Sequence, residues 1–111
     1  MKKGFYMIAS NNGIMEPVSG TFELHYPLMV NRREGHKGAS WSVSHIQTGR
    51  AISASLRLTT ARSLAKAIKH CKVWEVSITT DDIHEYLASE THEKDFIMKE
   101  RDKAYSSNGY G

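Results

Sequence analysis

Few side chains in this sequence could do covalent chemistry: one cysteine, Cys71, and six histidines, with Asp81 and Asp82 as an adjacent acidic pair. A nucleophile needs a base within reach, and a catalytic histidine needs a partner that orients its ring. Cys71 falls on the apolar stripe of a predicted helix, where a thiol acts as a small core hydrophobe. His45 falls at the end of a predicted hairpin, on its buried face, and reads as a satisfied core residue. Serines are plentiful, yet no Gly-x-Ser-x-Gly turn presents one as a nucleophile. Structural zinc sites show paired ligands at short spacings. Here His70 and Cys71 are adjacent and point to different helix faces, while His84 and His92 stand across an expected helix break. The reading is therefore of no catalytic residue, no metal and no cofactor.

Basic side chains offer binding instead of catalysis. The stretch "NRREGHKG", residues 31–38, gathers Arg32, Arg33, His36 and Lys37 around two glycines, and Arg62, Lys66 and Lys69 form a stripe on a predicted helix. About six phosphate contacts from such groups would give a salt slope of about −5 for nucleic-acid binding. "GHKGAS" lacks the G-x4-G-K-[ST] order of a phosphate loop. Single-strand platforms carry aromatic residues on an open sheet face, whereas the predicted open face here carries Ser42, Ser44, Ser53 and Ser55. Such small side chains suit close approach by a helix, the chain's own C-terminal one or that of another protein.

These residues must be positioned by elements that the apolar pattern marks out. In "TFELHYPLMV", Phe22, Leu24, Tyr26, Leu28 and Val30 alternate, predicting a strand over 21–30 with Pro27 at an edge or bulge. "FYMIA" predicts a short strand ended by the turn signal Asn11-Asn12-Gly13, and residues 14–20 receive no assignment. "SWSVSHIQTGRAISASLRL" predicts a hairpin turning at Thr48-Gly49, with Trp41 facing Leu56, Val43 facing Ala54 and His45 facing Ile52. Ala61, Leu64, Ala65, Ile68 and Cys71 follow helical spacing, with Thr59 or Thr60 as N-cap, over residues 60–71. "VWEVSI" alternates again and predicts a strand. "TTDDIHEYLAS" opens a helix capped by Thr79 or Thr80, followed by a break and a last helical segment.

The expected architecture is α+β: a mostly antiparallel sheet of four or five strands, a helix on one face and a C-terminal helical segment. Residues 1–103 form one domain, since 111 residues allow one modest core, and 104–111 form a flexible tail. A lone cysteine excludes an intramolecular disulfide and calls for no oxidising compartment. The N-terminal apolar run, Phe5 to Ala9, is shorter than a signal h-region, and no run could span a bilayer, so a cytoplasmic location without membrane contact is expected. Residues 1–80 hold 11 Lys/Arg against 4 Asp/Glu, a balance of +7, and residues 81–111 hold 4 against 8, a balance of −4. That asymmetry fits either an acidic partner or attraction between the two parts of the fold. The acidic C-terminal segment is interleaved with Lys94, Lys99, Arg101 and Lys103, the pattern of a salt-bridged helix surface.

The run "WSVSHIQTGRAISASLRLTTARSLAKAI", over residues 41–68, resembles segments of small phage-encoded proteins. The resemblance implies a host-takeover or anti-defence factor, such as an inhibitor of restriction or CRISPR systems, that works by occupying a surface. The expected function is thus a small non-enzymatic binding protein that blocks a host protein or ribonucleoprotein complex, as a monomer or a homodimer. The alternative is direct DNA or RNA binding through Arg32, Arg33, Lys37, Arg62, Lys66 and Lys69.

Overall fold

A computed structural model of the chain describes residues 1–10 and 12–107. Five consecutive strands come first: β1 (Lys2–Ala9), β2 (Met15–His25), β3 (Leu28–Arg33), β4 (Trp41–His45) and β5 (Ala51–Leu56). Four helices follow: α1 (Leu58–Ile68), α2 (Val73–Val76), α3 (Thr80–Ser89) and α4 (Thr91–Ser107). The strands form one antiparallel sheet in chain order, so every neighbour is joined by a local connection. This is the α+β class expected, with five strands and a C-terminal helix. No helix among the described residues is long and apolar enough to cross a membrane.

The segment expected as one strand over 21–30 is a hairpin. Tyr26 and Pro27 make a two-residue turn closed by the pair His25 and Leu28. Proline has no N–H to give a ladder, so it sits at the turn and the chain reverses around it. The reversal breaks the expected single apolar face. Partners across this hairpin differ in parity: Val30 pairs with Glu23, and Asn31 with Phe22. Leu28 and Val30 therefore face the core, while Phe22 and Leu24 line the other side with Asn31 and Met29. Residues 15–20, unassigned from the sequence, form the first half of β2 against β1. The turn before them includes Gly13 at φ +82°; Asn11, part of the expected turn signal, lies outside the described residues.

The β4–β5 hairpin begins in the expected register and leaves it. Trp41 pairs with Leu56 as expected, but Val43 pairs with Ser53 in place of the expected Ala54, and Ser44 with Ala51 in place of the Ser53 that the same register expects. At each shift β5 spends one more residue than β4, which is the signature of β-bulges, and Ser55 takes φ +60° within the first. Bulges bend a strand and strengthen its twist. Ser53 consequently turns to the helix side, where Tyr105 of α4 approaches it. Ser42 and Ser44 stay on the opposite face, which α4 does not cover.

The sheet curls until its first strand meets its last hairpin. Ala9 N–H donates to Gly49 O at 2.9 Å. A side chain at Gly49 would meet Met15 Sδ at 2.4 Å and Ala9 N at 2.8 Å, and the residue sits at φ +70°. Glycine is required there twice over, by conformation and by space.

α1 lies over β3 and β4, burying Ala61, Leu64, Ala65 and Ile68 against Leu28, Val30, Trp41, Val43 and Leu56. Those four residues match the expected helical stripe, but its fifth member, Cys71, is buried in the turn beyond the helix, which ends at Ile68 and not at 71. The N-cap of α1 is Arg57, two residues before Thr59 and three before Thr60, with no side-chain cap bond, because β5 passes into it with a single residue between. The expected strand at 73–78 is instead the single turn α2. Val73 and Trp74 are both buried while Ile78 is 69% exposed, a pattern that no alternating strand gives. The Trp74 indole N–H donates to Ile68 O at 2.8 Å, which turns the chain back beneath the end of α1. α3 opens with the expected cap: Thr79 and Asp82 form a reciprocal capping box. After the break at Glu90, α4 packs on α1 and buries Ile97 and Ala104. It runs through Ser107, into the segment expected as a flexible tail; residues 108–111 lie outside the described residues.

Gly49→Ala is expected to cost roughly 1–3 kcal/mol, the usual range for overpacking a tight site, read as a lower urea midpoint with an unchanged denaturant slope. An unchanged midpoint would show that β1 is not held against the β4–β5 loop.

Candidate interaction surface

The seven basic and histidine residues marked out by the sequence do not form one patch. Arg32 and Arg33 alternate across β3. Arg32 lies on the helix side with its guanidinium stacked 4.5 Å from the centre of the Trp41 ring. Arg33 points to the opposite face, where it lines a groove together with His36. Lys37 is exposed at the tip, between Gly35 and Gly38, both of which take positive φ.

Arg62 is already engaged inside the protein. Its Nε donates to Glu23 Oε1 at 3.0 Å and its Nη2 to Glu23 Oε2 at 2.7 Å, a forked pair that ties α1 to β2. His25 Nε2 lies 2.5 Å from the same carboxylate. The Arg62 hydrogen bond is the main cause that holds the Glu23 carboxyl down at about 2, from an ordinary 4.5. A guanidinium paired in this way meets a phosphate only with its remaining N–H groups and with its charge offset by Glu23. Lys66 is exposed on α1, and Lys69 sits beside Tyr26, Pro27 and His70, at the β2–β3 turn. Leu28 pairs with His45 at that end of the sheet, whereas residues 34–40 connect β3 and β4 at the other. Lys69 and the basic tip thus stand at opposite ends of β3.

The residues weighed for catalysis are held in unreactive forms. His45 is fully buried, with Nε2 2.9 Å from Trp74 O and Nδ1 3.0 Å from Thr48 Oγ1. A carbonyl can only accept, so Nε2 carries the proton and Nδ1 accepts from the Thr48 hydroxyl. That hydroxyl in turn accepts from Arg50 N–H at 3.2 Å. Both ring nitrogens are spent on joining β4, the β4–β5 loop and α2. Burial lowers the imidazole pKa and keeps the ring neutral. Burial, with Glu93 adding its negative charge, pushes the Cys71 thiol up to about 11, far from a thiolate. Among the described residues no group of three His, Cys, Asp or Glu could hold a metal ion.

Two further surfaces stand out. The first is β1. It is an edge strand, with Phe5 75% and Met7 41% exposed, next to Lys2 and Lys3. Both apolar side chains project on the face that α1 covers farther along the sheet, over β3 and β4. The signal was present in "FYMIA", a short strand apolar on both faces of an end position. The second is the concave face of the sheet, where Tyr6 points inward with its ring edge-on to Phe22 at 5.9 Å.

Because His45 is held neutral, the unfolded chain binds a proton that the native chain refuses as pH drops below the ordinary value of 6.5. Its contribution is complete above that value and is lost as pH falls through the depressed native pKa. The urea midpoint should therefore decline as pH falls below the ordinary value of 6.5, and His45→Gln should flatten this part of the profile. An equally steep decline in that variant would refute the role of His45. In Arg62→Gln, NMR titration should find the Glu23 carboxyl moved from about 2 toward 4.5, and no movement would show that Arg62 does not hold it. No protein-family model, no curated protein and no solved structure matches the chain.

Proposed function

We propose that the chain is a small non-enzymatic binding protein that acts by occupying a partner protein's surface through the exposed edge of β1. The observation that carries this reading is the pairing of Phe5 and Met7, both exposed, with an edge strand that pairs with no described strand on its outer side and is held there at Ala9 by Gly49. Free edges are ordinarily blunted by charge, proline or a covering element, because unpaired N–H and C=O groups template further pairing. Here lysines stand only at the start of the strand, at Lys2 and Lys3, and the middle is apolar. An extended, acidic segment of a partner could add to β1 by main-chain hydrogen bonds and rest its side chains on Phe5 and Met7.

The resemblance of residues 41–68 to small phage-encoded proteins extends the proposal to the partner's kind: a host defence or nucleic-acid-processing complex. Direct nucleic-acid binding takes second place. Arg32 lies on Trp41, Arg62 is bound to Glu23, and Lys69 stands at the far end of β3 from the tip, so the expected six phosphate contacts do not converge.

The test is recovery of a partner from nuclease-treated host extract by the wild-type chain and by Phe5→Glu, whose thermal midpoint should match the wild type because Phe5 is exposed. A protein recovered by the wild type, and reduced at least tenfold with Phe5→Glu, is the expected result. Recovery abolished by nuclease, or equal recovery with both chains, would overturn the reading.

A further inference from the structure

We infer that the concave face of the curled sheet is a binding pocket for a small phosphorylated polyol, independent of the protein-binding edge of β1. The curl brings β1 opposite β4 and β5 and encloses a groove of about 270 Å³. This lies just under the roughly 300–1,000 Å³ span of small-molecule sites, which selects a small ligand.

The groove is lined by apolar groups of β1 and β5 and by polar groups, some of them unsatisfied. Tyr6 is only 6% exposed, yet its hydroxyl has no hydrogen-bond partner, and the buried Oγ of Ser40 has none either. Buried polar groups are nearly always paired, so two orphans lining one groove mark a place where something else supplies the partner. Ser44 is fully buried and donates to Asn31 Oδ1 at 2.9 Å. That bond orients the Asn31 carboxamide and leaves its NH2 as a donor, with Ser44 Oγ still able to accept. Tyr6, Asn31, Ser40 and Ser44 therefore offer both donors and acceptors, the mixture that hydroxyl groups on a carbon chain or ring require.

Charge is arranged around the groove in one sign. Arg33 and His36 line the groove and are exposed, and no acidic residue lines it among the described residues. Glu34, the nearest acid in sequence, turns to Ser19 and accepts its hydroxyl at 2.9 Å. A guanidinium fork at the mouth matches the oxygens of a phosphate ester. The polyol end then lies over Tyr6 and the serines, and the phosphate stays at Arg33.

Calorimetric titration with ribose 5-phosphate, free ribose and inorganic phosphate tests the pocket. Ribose 5-phosphate should bind at least tenfold more tightly than either fragment. Tyr6→Phe and Arg33→Gln should each weaken it at least fivefold. The thermal midpoint of ligand-free Tyr6→Phe should equal or exceed that of the wild type, since removing an unpartnered buried hydroxyl relieves the fold. A lowered midpoint would mean that the hydroxyl is bonded within the protein, and would overturn the inference. So would no binding at millimolar sugar phosphate, equal binding of a fragment, or affinities untouched by both substitutions. These outcomes are read on the ligand-free chain and small probes, so they stand apart from any result with Phe5→Glu.

Discussion

The contact between Gly49 and the end of β1 closes a sheet that would otherwise be an open ribbon of five strands. It joins residues forty positions apart in the chain, and everything between them follows hairpin by hairpin. Two bulges in β5 supply the bend, and the missing side chain at Gly49 supplies the room. From this closure come two different surfaces. The inner one is sheltered and mixed in polarity, with Tyr6, Asn31 and Ser44 in its lining; the outer one carries Phe5 and Met7 into solvent. A flat sheet would leave Tyr6 exposed and the serines open, and no enclosed groove would exist.

On the other face, helices are fixed to the sheet by a few directional bonds set within an apolar core. The Arg62–Glu23 pair anchors α1 to β2, and the His45 chain of hydrogen bonds anchors α2 to the β4–β5 loop. A buried polar network such as that of His45 specifies one arrangement among several that apolar packing would accept, provided that each member is satisfied. His45 meets that condition, with both nitrogens engaged in one tautomer. Its bonds join β4, the β4–β5 loop and α2, as those of Arg62 join α1 to β2.

Much of this fold was legible in the sequence where period and burial agree. The stripe Ala61, Leu64, Ala65 and Ile68 announced α1, Thr79 and Thr80 as alternative caps announced the start of α3, and the Trp41–Leu56 pair announced the β4–β5 hairpin. Errors arose where alternation continues through a change of direction. Leu24, Tyr26, Leu28 and Val30 alternate without interruption, although the chain reverses at Tyr26 and Pro27. "AISASL" alternates through two bulges that no residue type signals, since Ser55 takes φ +60° without being glycine. "VWEVSI" alternates but buries neighbours, because Trp74 is recruited by the end of α1. The site fared worse, for a plain reason. A basic side chain in sequence does not disclose whether an internal acid or aromatic ring has claimed it, as Glu23 claims Arg62 and Trp41 claims Arg32.

The two-residue turn at Tyr26 and Pro27 also limits how the chain's length can vary. Lengthening or shortening it by one residue while β3 stays in the core would exchange the faces of β2 and, through it, of β1. Glu23 would then enter the concave side, away from Arg62, while Tyr6 would swing outward and Phe5 inward. The connection at residues 34–40 is seven residues long and exposed, and it can absorb an insertion without such an exchange. Related sequences that keep this fold should accordingly differ in length at the basic tip and agree at the Tyr-Pro turn.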